Sequence, residues 1–342
     1  MIASVCSATC RSAPKGVIPE AVKRMYILRR QLARCSTASK GTQHHKAARC
    51  SYTKIVPSAS FTAVVECDAS VPVSAEQCLR NWIAEAGGFV HEGIAVSYDT
   101  KCGDRGVVAV DEIPLEEAER CPLVIIPTSL YLSTDSATEI LNGALGNDGR
   151  LLKDFGRLRK DEQLAMLLAH ERSKGGYSFY APYIDMLPSK PPCAWLMDEE
   201  ELDAKFQHLR ESRKLDCGTF RDLVTSTRSA MAKQSDTLAV RFGRELSITS
   251  ADIVWAMGQV LSRCFGNIQE GVGMAPYIDL MNHDALATKP SGYMDDDGKE
   301  FVFVPSVFNG VPRALTPGDE IFISYATLKA PSEMLMSFGF VP

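Results

Sequence analysis

The chain predicts an α+β protein, a β-rich domain interrupted by a helical insertion. Three observations lead there. Short β-rich runs with turn residues between them occupy residues 89–133 and return after Gly271, while the stretch 135–262 carries helical periodicity. Strands and helices do not alternate, as they would in βαβ units. Over 342 residues, 45% hydrophobic and 23% charged content is the balance of an ordinary globular protein with a sizeable core, which excludes collagen, coiled coils and low-complexity scaffolds.

Residues 1–55 hold eleven Lys/Arg against one acid, Glu20, so a basic end near +10 precedes a body near −15. That end has the composition of a transit peptide, with a disordered basic tail as the alternative. The acidic body excludes a nucleic-acid partner, which requires a basic stripe. No run approaches the ~18 apolar residues of a membrane span, so no membrane partner is expected. The eleven cysteines form no C-x-x-C pair, which leaves neither a disulfide framework nor a metal site.

The first element is a helix that Ser74 caps, with Leu79, Trp82 and Ile83 on its apolar stripe, ending at Gly87-Gly88. Strands follow at Ile94–Tyr98, Gly106–Val110 and Leu123–Ile126. Leu164, Leu167 and Leu168 mark a helix in the insertion, and Leu202, Phe206 and Leu209 repeat the spacing. Thr249, with Asp252 three residues on, caps a helix carrying Ile253, Met257, Val260, Leu261 and Cys264. Strands return at Phe301–Val304 and, after the turn Thr316-Pro-Gly-Asp319, at Ile321–Tyr325. No G-x-G-x-x-G and no G-x-x-x-x-G-K occurs, which removes the common dinucleotide and nucleoside-triphosphate readings.

Four segments taken in order, Gly103-Asp-Arg-Gly-Val-Val-Ala109, Arg263-Cys-Phe265, Asp279-Leu-Met-Asn-His283, and Tyr325 with Phe338-Gly-Phe-Val341, resemble the SET-domain protein methyltransferases. Glu171-Arg172, Tyr177-Ser-Phe-Tyr-Ala-Pro-Tyr183 and Met186-Leu-Pro188 resemble the insert of one subgroup, that of the Rubisco large-subunit lysine methyltransferase. The resemblance implies a β-rich SET fold with a knotted C-terminal segment, split by a helical subdomain. Residues 74–134 and 263–342 would form the SET domain and 135–262 the insert.

The activity implied is methyl transfer from S-adenosyl-L-methionine to a lysine of a protein partner. In-line displacement at a sulfonium needs alignment and a neutral amine. A lysine of pKa near 10.4 costs roughly 4–5 kcal/mol to deprotonate at pH 7, and an apolar channel lowers that cost. By resemblance, Tyr325 is the catalytic residue that orients amine and methyl. Gly103, Asp104, Arg105, Gly106, Arg263, Asp279, Asn282, His283 and Phe338 bind the cofactor. Phe265 and Tyr293 wall the lysine channel. Plain readings stand beside these: a hairpin turn for the glycines, a helix-ending Arg263 facing the dipole, and core packing for the aromatics. A plastid, ahead of a mitochondrion, follows from leader and family together.

The sequence departs from the family pattern after Tyr325, where Ala326 replaces a glycine and the Ser-Asn pair is missing. Val341-Pro342 closes the sequence where the subgroup continues into a helical substrate-binding domain, so that domain is expected to be absent, with a partner in its place. Two alternatives remain open at this stage: a catalytically silent SET fold that binds a protein, and methylation of a protein histidine.

Overall fold

The computed structural model describes residues 74–101, 105–120, 122–146, 148–212, 216–267, 271–287, 291–295, 298–303, 314–325 and 330–341. The basic leader, Gly103, Asp104 and the residues that follow Tyr325 up to Lys329 lie outside these. In chain order the described strands are β1 (Phe89–Val90), β2 (Ile94–Ser97), β3 (Gly106–Ala109), β4 (Val124–Pro127), β5 (Leu132–Ser133), β6 (Phe265–Asn267), β7 (Gly271–Met274), β8 (Asn282–His283), β9 (Ser291–Asp295), β10 (Gly298–Phe303) and β11 (Glu320–Ile323).

The chain divides into two compact units. The strand-rich unit comprises, of the described residues, those up to Leu130 together with Pro276–Tyr325. It opens on the helix Ala75–Glu85, capped by the Ser74 hydroxyl as the sequence predicts, with Leu79, Trp82 and Ile83 buried. Two four-stranded sheets follow, ordered β1-β4-β10-β9 and β2-β3-β11-β8. All their pairings are antiparallel except that of β11 with β8. Apolar residues at every position of β4 up to Ile126 are buried, the mark of a strand covered on both faces. Ile94, Val107, Ile321 and Ile323 give the second sheet its core side.

The other unit takes in Tyr131–Ala275 and the C-terminal helix Pro331–Phe338. At its centre lies the helix Lys160–Ser173, buried from Asp161 through Ala169. Its packing neighbours include the helices Thr134–Leu145 and Ser250–Arg263. Thr249 and Asp252 form the expected reciprocal cap of the latter. The longest helix, Cys217–Leu246, buries Phe220, Val224, Met231, Leu238 and Phe242 on one stripe. Phe206, Phe220, Val224 and Leu335 share a cluster that anchors the C-terminal helix within this unit. The unit has its own sheet, β5-β7-β6.

Candidate active site

The strand-rich unit brings Gly106, Asn282, His283 and Tyr325 into one neighbourhood, with Arg105 and Asp279 next to them in the chain. The chain enters it through Tyr277, a fully buried tyrosine with φ of 67°. A bulky side chain in the left-handed region is strained and persists only where its surroundings over-determine it. Here Tyr277 donates to Glu76 Oε1 at 2.8 Å and accepts from Arg80 Nη2 at 2.7 Å. Arg80 also donates to the carbonyls of His91 and Ile94, and its guanidinium lies 5.1 Å from the Tyr277 ring centre. The first helix thereby fixes the start of the next segment.

From Tyr277 a single 3-10 turn, Ile278–Leu280, carries the buried Asp279 and delivers Met281, Asn282 and His283. Strand β8 then runs parallel to β11, with Asn282 opposite Phe322 and His283 opposite Ile323. Two residues later the chain leaves the ladder. The Tyr325 amide donates to His283 Nδ1 at 3.0 Å, and the Tyr325 ring lies 5.1 Å from the imidazole, tilted by 35°. The Tyr325 hydroxyl donates to the carbonyl of Met281 at 2.8 Å. A phenol has one hydrogen to give and two lone pairs, so with its hydrogen committed the Tyr325 oxygen is left as an acceptor.

A ring nitrogen that accepts an amide N–H is unprotonated, so His283 carries its hydrogen on Nε2 when neutral. Burial depresses its pKa below the usual histidine value, outweighing the opposing hydrogen bond to Ile323 and the charge of Asp284. His283 is neutral at pH 7 and above.

Asn282 donates through Nδ2 to Glu320 Oε1 at 2.8 Å, and the Lys101 amide donates to Glu320 Oε2 at 3.0 Å. Gly106 sits against this pair: a Cβ there would come within 2.7 Å of Asn282 Nδ2 and 2.8 Å of Glu320 Oε1. Gly106 does not have a positive φ, so its role is clearance for side chains rather than a turn conformation. Arg105 lies half-buried just ahead of it.

Sequence reasoning missed Glu320, the carbonyl of Met281 and Tyr277. Only Glu320 left a signal, as a carboxylate opening the apolar run Ile-Phe-Ile.

Of the remaining expected residues, Gly103 and Asp104 lie outside the described residues, and three belong to the helical unit. Arg263 ends the helix Ser250–Arg263 in the helical unit and donates through Nε to Gln259 Oε1 at 3.0 Å. Phe265 is on β6, opposite Gly273, in that unit. Phe338 closes the C-terminal helix with its ring centre 6.3 Å from that of Phe340. Tyr293 belongs to the strand-rich unit, on β9 opposite Glu300, where the backbone alone is described.

No protein-family model matches the chain. It is 23% identical over 321 residues to the chloroplastic Rubisco large subunit N-methyltransferase of Nicotiana tabacum, covering 89% of this chain and 58% of that protein. To the actin-histidine N-methyltransferase of Gallus gallus it is 26% identical over 277 residues, covering 77% and 42%. To the chloroplastic fructose-bisphosphate aldolase-lysine N-methyltransferase of Arabidopsis thaliana it is 24% identical over 241 residues, covering 69% and 46%. The chain thus spans about half the length of the curated relatives it matches. Among solved structures, the SET domain of LSMT bound to lysine and AdoHcy superposes with a TM-score of 0.59 at 20% identity, covering 78% of this chain and 57% of that one. Rubisco LSMT bound to AdoMet gives 0.59 at 21%, covering 79% and 57%.

Proposed function

Because the chain has the SET-domain fold and resembles protein methyltransferases of the Rubisco large-subunit type, we propose that it is an S-adenosyl-L-methionine-dependent protein-lysine N-methyltransferase. The observation that carries this reading is the parallel contact of β8 with β11. It puts the Tyr325 phenol, its hydrogen already given to Met281, beside a neutral His283 and next to Asn282.

The residues present fit the cofactor. Asn282 Oδ1 has no partner among the described residues, while Nδ2 is tied to Glu320. An acceptor is thereby held ready for an ammonium group such as that of the cofactor's amino-acid moiety. Neutral His283 offers a ring face for the adenine. When bound, the cofactor supplies an electrophilic methyl on a sulfonium. Tyr325 then accepts, from the N–H of the neutral lysine or weakly from a polarised methyl C–H, and so aligns the two reactants without needing to act as a strong acid. Asp104, Gly103, Arg105, Arg263, Asp279 and Phe338 belong to the proposed cofactor set, and Phe265 and Tyr293 to the proposed channel, on the resemblance alone.

The substrate is a protein, and lysine is favoured over histidine by the lysine named in the solved neighbour and in the Arabidopsis relative. The actin-histidine relatives support the second reading, a protein histidine as acceptor. A plastid location is supported by the chloroplastic relatives together with the basic N-terminal composition.

The test is transfer of labelled methyl from S-adenosylmethionine to proteins of a cell extract, wild type against Tyr325→Phe. Loss of at least tenfold of the labelling rate, with a methyl-lysine in the product by mass spectrometry, is expected, since one oriented hydrogen bond in a transition state is worth about 1.4 kcal/mol or more. Equal labelling by both proteins defeats the role given to Tyr325, and labelling by neither favours a binding module.

A further inference from the structure

We propose that Glu320 is a positioning residue that sets the orientation of the Asn282 amide and thereby presents Asn282 Oδ1 to the cofactor, an inference that rests on the methyltransferase reading. Glu320 is 4% exposed, and its two carboxylate oxygens are used separately: Oε1 receives Asn282 Nδ2 and Oε2 receives the Lys101 amide.

The chemistry makes this assignment one-directional. A primary amide can present either a donor or an acceptor, and rotation of half a turn about its last bond exchanges them. A carboxylate has only acceptors to offer, so the Asn282 nitrogen must face Glu320 and Oδ1 must face away. The Lys101 amide holds the carboxylate plane in turn, because a backbone N–H has no alternative role. Gly106 completes the arrangement, since any side chain there would occupy the space through which Asn282 and Glu320 meet. Without Glu320, Asn282 would be free to present an N–H toward a cationic ligand group, which repels it.

A glutamine is the informative replacement. It keeps the length and shape of Glu320 but has one acceptor oxygen for two donors, so either Lys101 or Asn282 loses its partner. Two measurements on the full chain test the proposal. In the free protein, with side-chain amides of asparagine labelled with nitrogen-15, the Asn282 Nδ2 protons should show slowed exchange and a distinct shift that vanish in Glu320→Gln. In calorimetry with S-adenosylhomocysteine as probe, Glu320→Gln should weaken binding about tenfold, the order expected for one hydrogen bond to a charged group. In an Asn282→Ala background the same change should cost nothing further, an outcome that general destabilisation would not produce.

Unchanged Asn282 signals in Glu320→Gln overturn the proposal. So does equal probe affinity of wild type and Glu320→Gln, or an undiminished further loss in the Asn282→Ala background. A wild type that does not bind the probe is distinguishable from these: it refutes the methyltransferase reading, and this inference falls with it even if the amide signals respond to Glu320.

Discussion

Replacing Gly106 by alanine separates two explanations of this glycine. If it served only a hairpin turn, alanine would be tolerated, because the residue has no positive φ, and the less flexible unfolded chain would add about 0.4–1 kcal/mol of stability. The structure predicts the opposite sign. The new methyl would lie 2.7 Å from Asn282 Nδ2 and 2.8 Å from Glu320 Oε1, against an ordinary contact of at least 3.4 Å. Relief requires the amide and carboxylate to move by roughly 0.6–0.7 Å, the difference between those contact distances. Such a displacement stretches their mutual bond of 2.8 Å to the edge of hydrogen-bonding distance. Overpacking costs about 1–3 kcal/mol, and a disrupted hydrogen bond about 1 kcal/mol more, so a net loss of about 1–3 kcal/mol remains after the backbone gain. Urea unfolding measures that loss, and calorimetry with S-adenosylhomocysteine should show affinity reduced by about tenfold or more. A variant as stable as wild type, binding the probe equally well, refutes the idea that Gly106 exists to let Asn282 and Glu320 meet.

Two further outcomes are expected. Burial lowers the pKa of His283 and of His170, so below the normal histidine value of about 6.5 the unfolded chain binds more protons than the folded one. Their contribution to stability is complete above that pH and lost as pH falls below it; protonation of His283 also removes the acceptor of the Tyr325 amide. The urea midpoint and probe affinity should both decline from pH 7 to pH 5.5 more steeply in wild type than in His283→Asn, and parallel profiles would contradict the assignment. Gly339→Ala should lower stability by at least about 2 kcal/mol, because a residue at φ of 78° would set its Cβ 2.1 Å from the carbonyl of Pro192, which is backbone and cannot give way. Thermal unfolding at the wild-type temperature would contradict this packing of the C-terminal helix.

How much of this was legible depends on the range over which each signal acts. Ser74 and Thr249 cap the helices they were expected to cap, because a cap is decided within four residues. The SET architecture and the proximity of Asn282, His283 and Tyr325 were legible through the ordered motifs, though not through periodicity. Strand β11 was expected to run through Tyr325 and stops at Ile323, and the Tyr325 amide turns to His283 Nδ1 instead of continuing the ladder. The helix Cys217–Leu246 was not singled out, since Thr227 and Ser235 interrupt its apolar stripe although both are buried. Glu320 was not singled out, because the partners that give its carboxylate a role, the Lys101 amide and Asn282, are distant in sequence. The strain at Tyr277 left no trace at all, because it is sustained by Arg80 and Glu76 about 200 residues earlier.

The site residues also fasten the fold they sit in. A parallel ladder of two residue pairs is too short to hold its register through backbone bonds alone, and parallel pairing is the weaker kind. Side chains add to the fastening between β8 and β11: Asn282 to Glu320, His283 to the Tyr325 amide, and Tyr325 to the Met281 carbonyl. The Asp284 amide adds one backbone bond to Ile323 at 3.2 Å. A slip of one residue would direct Asn282 away from Glu320 and leave the buried Glu320 carboxylate short of a donor, which low dielectric makes costly. Binding groups in many enzymes are held at the expense of stability. Here the same hydrogen bonds serve both, so Asn282→Ala, Glu320→Gln and Tyr325→Phe should each lose stability along with affinity or rate. A stabilising substitution at any of the three would show that the register is held by something else.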